Sequence, residues 1–297
     1  MHGPTTDVAP RAARLAFRTA EPIHGMIYFT PHGPAAYAEA GISHQRMTYF
    51  ASRSAALGAC PAEIVIATFF NFNPAIIRRA IPAAWDIARP SQVLAARLEA
   101  VDRSLRQAWP GEIDSPQVRE AAELARRAAE RAATRPQGRP LFAAHAALPW
   151  PDAPHLTLWH AQTLLREYRG DGHVALLMTE GLDGLGALIT HAGTGAIPAE
   201  ALRTTRGWTE PEWAAAVERF RDDGWLSDGP ELTLSATGRQ RRQSIEDRTD
   251  QLAVYPYEAI GADGCSRLCE LTAPLAAAVM AAGLGFPAAL KARQAAS

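Results

Sequence analysis

Lysine is almost absent from this chain: Lys291 stands alone among 30 basic residues, the rest being arginine. With the abundant alanine, that imbalance reads as the coding bias of a GC-rich genome and carries no functional message. Charge of one sign is missing as well. The 30 basic residues face 31 acidic ones, which excludes the broad basic footprint of a simple nucleic-acid binder and leaves room only for a local patch. Three cysteines (Cys60, Cys265 and Cys269) cannot build a disulfide framework, so the expected setting is a reducing cytoplasm. No basic segment followed by an apolar run opens the chain, and no signal peptide is expected. There is no G-x-S-x-G elbow, no His-Glu-x-x-His, no phosphate-binding Walker loop and no G-x-G-x-x-G after a strand. Cys265 and Cys269 share a helix face without a second His or Cys pair nearby, so no metal site is expected.

What is present is the composition of a globular protein: 297 residues, 47% hydrophobic, enough for two domains or one large one. Residues 271–290 carry no charge and have the length of a membrane span. Pro274, Gly283, Gly285, Pro287 and the alanine content instead favour a small-residue helix packed on the core, so no membrane partner is expected.

The reading is almost entirely helical. Helices are expected over 10–20 and 22–30, 34–41, 43–56, 74–88 (interrupted at Pro82), 90–109 and 115–134. Residues 62–72 are apolar and β-branched, fitting either a strand or a buried helix. Residues 135–153 hold four prolines and read as a linker. A helix over 154–168 should end in a turn at Arg169-Gly170-Asp171-Gly172, with Asp171 capping the next helix. Four short helices then follow, over 173–180, 183–193, 198–205 and 209–223, with a hairpin around Asp228-Gly229-Pro230 and a long helix from Ser235.

From Ile197 to about Leu252 this order resembles a winged helix of the MarR type. The residues carrying the match are Glu200-Ala201-Leu202, Gly207-Trp208-Thr209, Val217-Glu218-Arg219-Phe220, Gly224-Trp225-Leu226 and Leu232 through Gly238. Over its whole length the chain is similar to actinobacterial helix-turn-helix proteins, a resemblance that implies an architecture and no activity. Two internal echoes add to it: 24–42 resembles 164–182, and 70–85 resembles 206–221. Together they imply a mainly α fold of tandem winged-helix-like units, a pseudo-dimer of MarR-type domains with small β-wings. The expected division is a first, degenerate unit at 10–89, a helical connector and Pro-rich linker at 90–153, a second winged-helix unit at 154–252 and a C-terminal helical segment at 253–297. MarR-type proteins are dimers with a ligand crevice between subunits; a fused pair would place such a crevice inside one chain.

The residues that would read DNA fit that job poorly. The helix over 209–223 sets Glu210, Glu212, Glu218, Asp222 and Asp223 against Arg219 and Arg221, and an acidic helix works against phosphate contact. The would-be wing, 227–231, has two acids and no base. Arg239, Arg241, Arg242, Arg78 and Arg79 are the counter-evidence. Nucleic acid is therefore not the expected partner; a small molecule in the crevice is, with the protein a monomer or homodimer.

Histidine is the side chain that works as acid, base or ligand near neutral pH. The candidates for proton transfer are His24, His160 and His173, with Tyr28 one helical turn beyond His24. Arg53, Tyr49, Phe70, Trp159, Arg166 and Asp171 are the candidates for ligand contact, the arginines as anion anchors in aromatic surroundings. Each also has an ordinary explanation as core or salt-bridge residue. A haem on His24, His160 or His173 would account for the histidine and aromatic content, but no motif demands one, and the cofactor is left unknown. The reading is a small-molecule-binding protein, as sensor or enzyme; the alternative is a MarR-like, ligand-responsive regulator that binds DNA.

Overall fold

The computed structural model describes residues 7–285. The chain begins with α1 (Pro10–Gly25), α2 (His32–Glu39), α3 (Gln45–Ser54), α4 (Ala62–Phe69), α5 (Pro74–Arg78) and α6 (Ala83–Ile87). It continues with α7 (Pro90–Ala108), α8 (Pro116–Ala133), α9 (Pro140–Ala146) and α10 (Pro154–Thr179). Then come α11 (Gly184–Ala192), α12 (Ala199–Arg206), α13 (Glu210–Asp222), α14 (Ala236–Leu252) and α15 (Gly261–Ala281). The apolar run after residue 61 is thus helix, α4. No helix among the described residues is long and apolar enough to cross a membrane. α15 instead buries Leu268, Leu271, Leu275 and Val279 in the core; residues 286–290 of the uncharged run lie outside the described residues.

α10 is the spine. It runs unbroken through Arg169-Gly170-Asp171-Gly172, where the sequence reads a turn. Each glycine costs a helix about 1 kcal/mol relative to alanine, but burial along the rest of the helix outweighs that cost. A Cβ at 172 would lie 2.6 Å from Nη1 of Arg139, whose flexible side chain crosses there to donate to the Tyr168 carbonyl. Asp171 consequently does not cap a following helix. Its carboxylate accepts from the Phe142 N–H at 2.9 Å, at the start of α9.

The apolar interior forms two clusters. One runs from Val8 through Tyr168 and resumes at Tyr257. The other spans Leu176 to Ile245. α10 enters both, with Trp159 and Leu164 in the first and Leu176 and Leu177 in the second. α8 packs against α10 through a face of Val118 and alanines 121, 122, 125, 128, 129 and 132, small enough for close approach. The Pro-rich stretch 135–153 contains α9, whose Leu141 and Phe142 are buried in the first cluster.

The second cluster holds the helix-turn-helix, α12–turn–α13, with α11 before it. Gly207 turns between α12 and α13 in the left-handed region, at φ 77. Thr209 and Glu212 form the capping box that starts α13. The expected hairpin shrinks to a single bridge between Leu226 and Leu234, flanked by Ser227 N–H to Thr233 O and Ser235 N–H to Trp225 O. Pro230, which has no N–H to donate, lies in the loop it spans. Gly238 lets α14 close onto this turn, since a Cβ there would sit 2.0 Å from the Trp225 carbonyl oxygen.

The internal echoes fare unequally. Residues 24–42 pass from helix through a 3-10 turn into α2, whereas 164–182 stays in α10 as far as Thr179. His32 starts a helix and His173 sits within one. The second echo keeps its opening: Asn73 caps α5 through Ala75 N–H and Thr209 caps α13 through Glu212 N–H, with a proline in the first turn of each helix, Pro74 and Pro211. α5 then stops at Arg78, while α13 runs to Asp222.

Candidate functional site

Five elements converge on Tyr28. α1 supplies His24 near its end, and the 3-10 turn Met26–Tyr28 places the tyrosine one turn later. α3 gives Tyr49, Ser52 and Arg53; α7 gives Arg97; α10 gives Trp159, Thr163, Arg166 and Glu167 at helical spacing on one face.

The hydrogen bonds fix the protonation of His24. Thr163 donates its hydroxyl proton to the Trp159 carbonyl at 3.0 Å, so its oxygen is left to accept from His24 Nδ1, also at 3.0 Å. Nε2 is then an acceptor, and the Tyr28 hydroxyl donates to it at 3.1 Å. His24 is fully buried and stacks on Trp159, with ring centroids 5.7 Å apart. Burial, reinforced by Arg166 and Arg97, holds it well below the ordinary histidine range. It is therefore a neutral acceptor that orients Tyr28, with both ring nitrogens engaged in hydrogen bonds.

Three guanidiniums surround the Tyr28 ring: Arg166 at 5.4 Å, Arg53 at 5.8 Å and Arg97 at 6.0 Å from its centroid. Arg166 pairs with Glu167 at 2.8 Å and Glu21 at 3.4 Å. Arg53 donates to the Tyr49 hydroxyl at 3.1 Å, lies 3.8 Å from Glu167 and stacks on Phe69. Burial alone would raise Glu167, but Arg166 and Arg53 outweigh it and keep this carboxyl ionised. Burial wins at Glu21 and raises it. Arg53, Arg206 and Arg166 likewise overcome burial at Tyr49 and lower its hydroxyl. Cationic charge thus exceeds carboxylate charge in a largely buried, aromatic setting, which is costly unless something compensates it.

The other expected residues divide. His160 packs edge-on against Trp150 and faces His145 from α9; burial and Arg97 push the two down, to about 4 and about 3 respectively. His173 lies elsewhere, its Nδ1 2.9 Å from Thr249 Oγ1 on α14. Thr249 in turn donates to the Ile245 carbonyl, repeating the arrangement at His24. Asp171 serves α9, and burial raises it to about 6. Arg166 and Arg169 do not form one clamp: Arg169 turns to Asp250 and Glu246. Phe70 lines an open groove of about 560 Å³ between the loop after α4 and the α11/α13 face. Phe72 lines that same groove and also packs on Tyr49, and Arg206 from the end of α12 lies 5.1 Å from its ring centroid. Phe72 is thus the wall shared by groove and cluster.

Sequence reading passed over Arg97, His145 and Arg206. Arg97 had a signal: it stands on the apolar stripe of α7 with Val93, Ala100, Val101 and Ser104, where a charge is out of place. Among the described residues no group of three or more His, Cys, Asp or Glu could hold a metal.

A family model described as a helix-turn-helix family matches residues 13–286, nearly the whole chain. The chain belongs to this helix-turn-helix family. No curated protein and no solved structure matches it.

Proposed function

We propose that this protein binds a small molecule at the Tyr28 cluster, reached from the groove through Phe72, with the helix-turn-helix as one wall of the site. The observation that carries the reading is the convergence of His24, Tyr28, Tyr49, Arg53, Trp159 and Arg166 beside a groove with which the cluster shares Phe72. Supporting it, three of the basic residues that DNA would need make contacts within the molecule. Arg241 stacks on Trp225 and donates to the Glu180 carbonyl, Arg242 pairs with Glu246, and Arg239 donates to the Leu234 carbonyl. A transforming role would fall to Tyr28, whose hydroxyl His24 holds in place. The paired caps of α5 and α13 support a remote kinship of their two segments as tandem units.

The test is a thermal-shift and native-mass survey of the whole chain against small molecules of all charge types. It is repeated on Arg53→Gln and Trp159→Phe, with circular dichroism to check folding. Stabilisation by at least one class, lost in folded variants, is expected. No stabilising compound at all would overturn the reading.

The second reading, a ligand-responsive DNA-binding regulator, is favoured by family membership. Tight, salt-sensitive binding to the gene's own upstream DNA would establish it; the contacts holding the start of α13 on residues 71–76 speak for weak binding in this conformation.

A further inference from the structure

Phe69, Phe70 and Phe72 are close in sequence but face different cores. Phe69 and Phe72 are buried in the first cluster, while Phe70 packs against the second. Sending these rings to opposite sides turns the backbone back at Phe70, at φ 53 and ψ −57. The Asn71 N–H donates to the Phe69 carbonyl at 2.6 Å. This is a γ-turn with positive φ at its centre, rare and strained for a residue that has a side chain. Among the described residues Phe70 is the only non-glycine with a positive φ.

Such a conformation persists only where its surroundings hold it. Here the holding contacts come from the helix-turn-helix side. Trp208 Nε1–H donates to the Asn71 carbonyl at 3.0 Å, and the Asn73 N–H donates to the Arg206 carbonyl at 2.9 Å. The Phe70 carbonyl oxygen sits where Gly184 leaves room, 2.0 Å from where a Cβ would stand. Ile76 fills the space beside Gly207, 2.7 Å from the Cβ position there. α12 and α13 themselves pack on α11, within the second cluster. The strained segment and this three-helix body are also the two walls of the open groove. Phe70, Phe72 and Pro74 line one wall; Leu185, Trp208 and Ala216 line the other. The seam is therefore loaded: breaking its ties lets Phe70 relax to an ordinary φ, which offsets part of what the ties contribute.

We propose that residues 70–76 are a strained latch. When it releases, α11, α12 and α13 move off the first half as one body, opening the groove at Phe72 and uncovering the first turn of α13. Phe72 is the wall shared with the Tyr28 cluster through Tyr49. The first turn of the second helix is the part that a helix-turn-helix presents to a nucleic-acid groove. The latch thus controls access under either reading of what the protein binds, and its test needs no ligand.

The test is hydrogen exchange in the whole chain, followed by nitrogen-15 NMR. The Asn73 N–H reports from the latch, and the Trp208 indole N–H from the other side of the seam. Both are expected to exchange through one shared opening, faster than the amides in the middle of α8, which need global unfolding. Trp208→Phe removes one tie, so Asn73 exchange should quicken about fivefold, the scale of one hydrogen bond. Phe70→Gly and Phe70→Ala both delete the ring, but only glycine adopts this φ without strain. Asn73 and Trp208 should therefore exchange at least about fivefold more slowly in Phe70→Gly than in Phe70→Ala, although glycine is the freer of the two once released. Unrelated rates at the two reporters, or rates equal to those of α8, would overturn the latch as a local device. Equal exchange in Phe70→Gly and Phe70→Ala would overturn the stored strain. Unchanged Asn73 exchange in Trp208→Phe would overturn the ties. If Phe70→Ala does not fold, the shared opening in wild type and its response to Trp208→Phe decide.

Discussion

Asn73 holds Glu212 across 139 residues of chain, its Nδ2 lying 3.3 Å from each carboxylate oxygen. The same asparagine caps α5 through Oδ1, and Glu212 is the closing member of the α13 capping box. One amide therefore ties the first turn of α13 to the first half of the protein. Asn73 N–H to the Arg206 carbonyl, at 2.9 Å, and Trp208 Nε1–H to the Asn71 carbonyl, at 3.0 Å, reinforce the tie.

Asn73→Ala should remove both the cap and the tie and cost about 1–3 kcal/mol in urea unfolding. Amide exchange at the start of α13 should quicken at the same time. Asn73→Asp keeps the cap but sets a carboxylate against Glu212, so its deficit should shrink at high salt. Equal stability of all three proteins would show that the contact does not hold the halves together.

Two glycines should respond differently to alanine. A Cβ at Gly184 would stand 2.0 Å from the backbone oxygen of Phe70, where little can yield. Gly184→Ala should cost about 3 kcal/mol or more, the upper end for overpacking. At Gly172 the obstacle is the end of the Arg139 side chain, which can swing aside. The gain in helix propensity there is about 1 kcal/mol, so Gly172→Ala should stay within about that of wild type. Urea midpoints compare the pair, and a reversed order would contradict the packing.

Acid should destabilise the fold before carboxylates are lost. Burial holds His160 and His173 down at about 4 and His145 at about 3, against an ordinary 6.5. Between those values the unfolded chain takes up protons that the folded chain refuses. Stability from these groups is thus full above the ordinary histidine value and falls as pH drops through the folded ones. Each contributes at most about 1.4 kcal/mol per pH unit. Asp171, raised by burial from 3.8 to about 6, has the opposite sign: its contribution is present below its unfolded value and lost as pH rises through the folded one. One such group offsets only part of the histidine loss. Melting temperature should fall steadily on acidification through this window, and His173→Gln should flatten the slope. A flat profile in wild type would contradict the burial of neutral imidazoles.

The tautomer of His24 is directly observable. Nitrogen-15 spectra should show a neutral ring protonated at Nδ1 that stays neutral well below the ordinary histidine value. Tyr28→Phe should shift the Nε2 signal and cost about 1 kcal/mol, one buried hydrogen bond. An imidazolium at neutral pH would undo the assignment of Tyr28 as donor.

The helices were legible in the sequence because their signals are local. Ser115-Pro116 opens α8, Thr209 and Glu212 box the start of α13, and Gly207 supplies the left-handed turn. Several residues of the candidate site stood out too, since tyrosine, tryptophan and arginine in an apolar half attract attention wherever they stand. Two things were decided only by the tertiary structure. The turn read at residues 169–172 became the middle of α10, because burial in two cores outweighs the local cost of two glycines. The partners of the charges were also invisible: Arg166 and Arg169, three residues apart, join separate networks, and Arg97 donates to Ser52, with no carboxylate among the described residues in direct contact with it. Propensity and capping act over a few residues and are written along the chain. Which charges meet, and which are left unpaired among aromatic rings, depends on residues brought together from as far apart as His24 and Thr163.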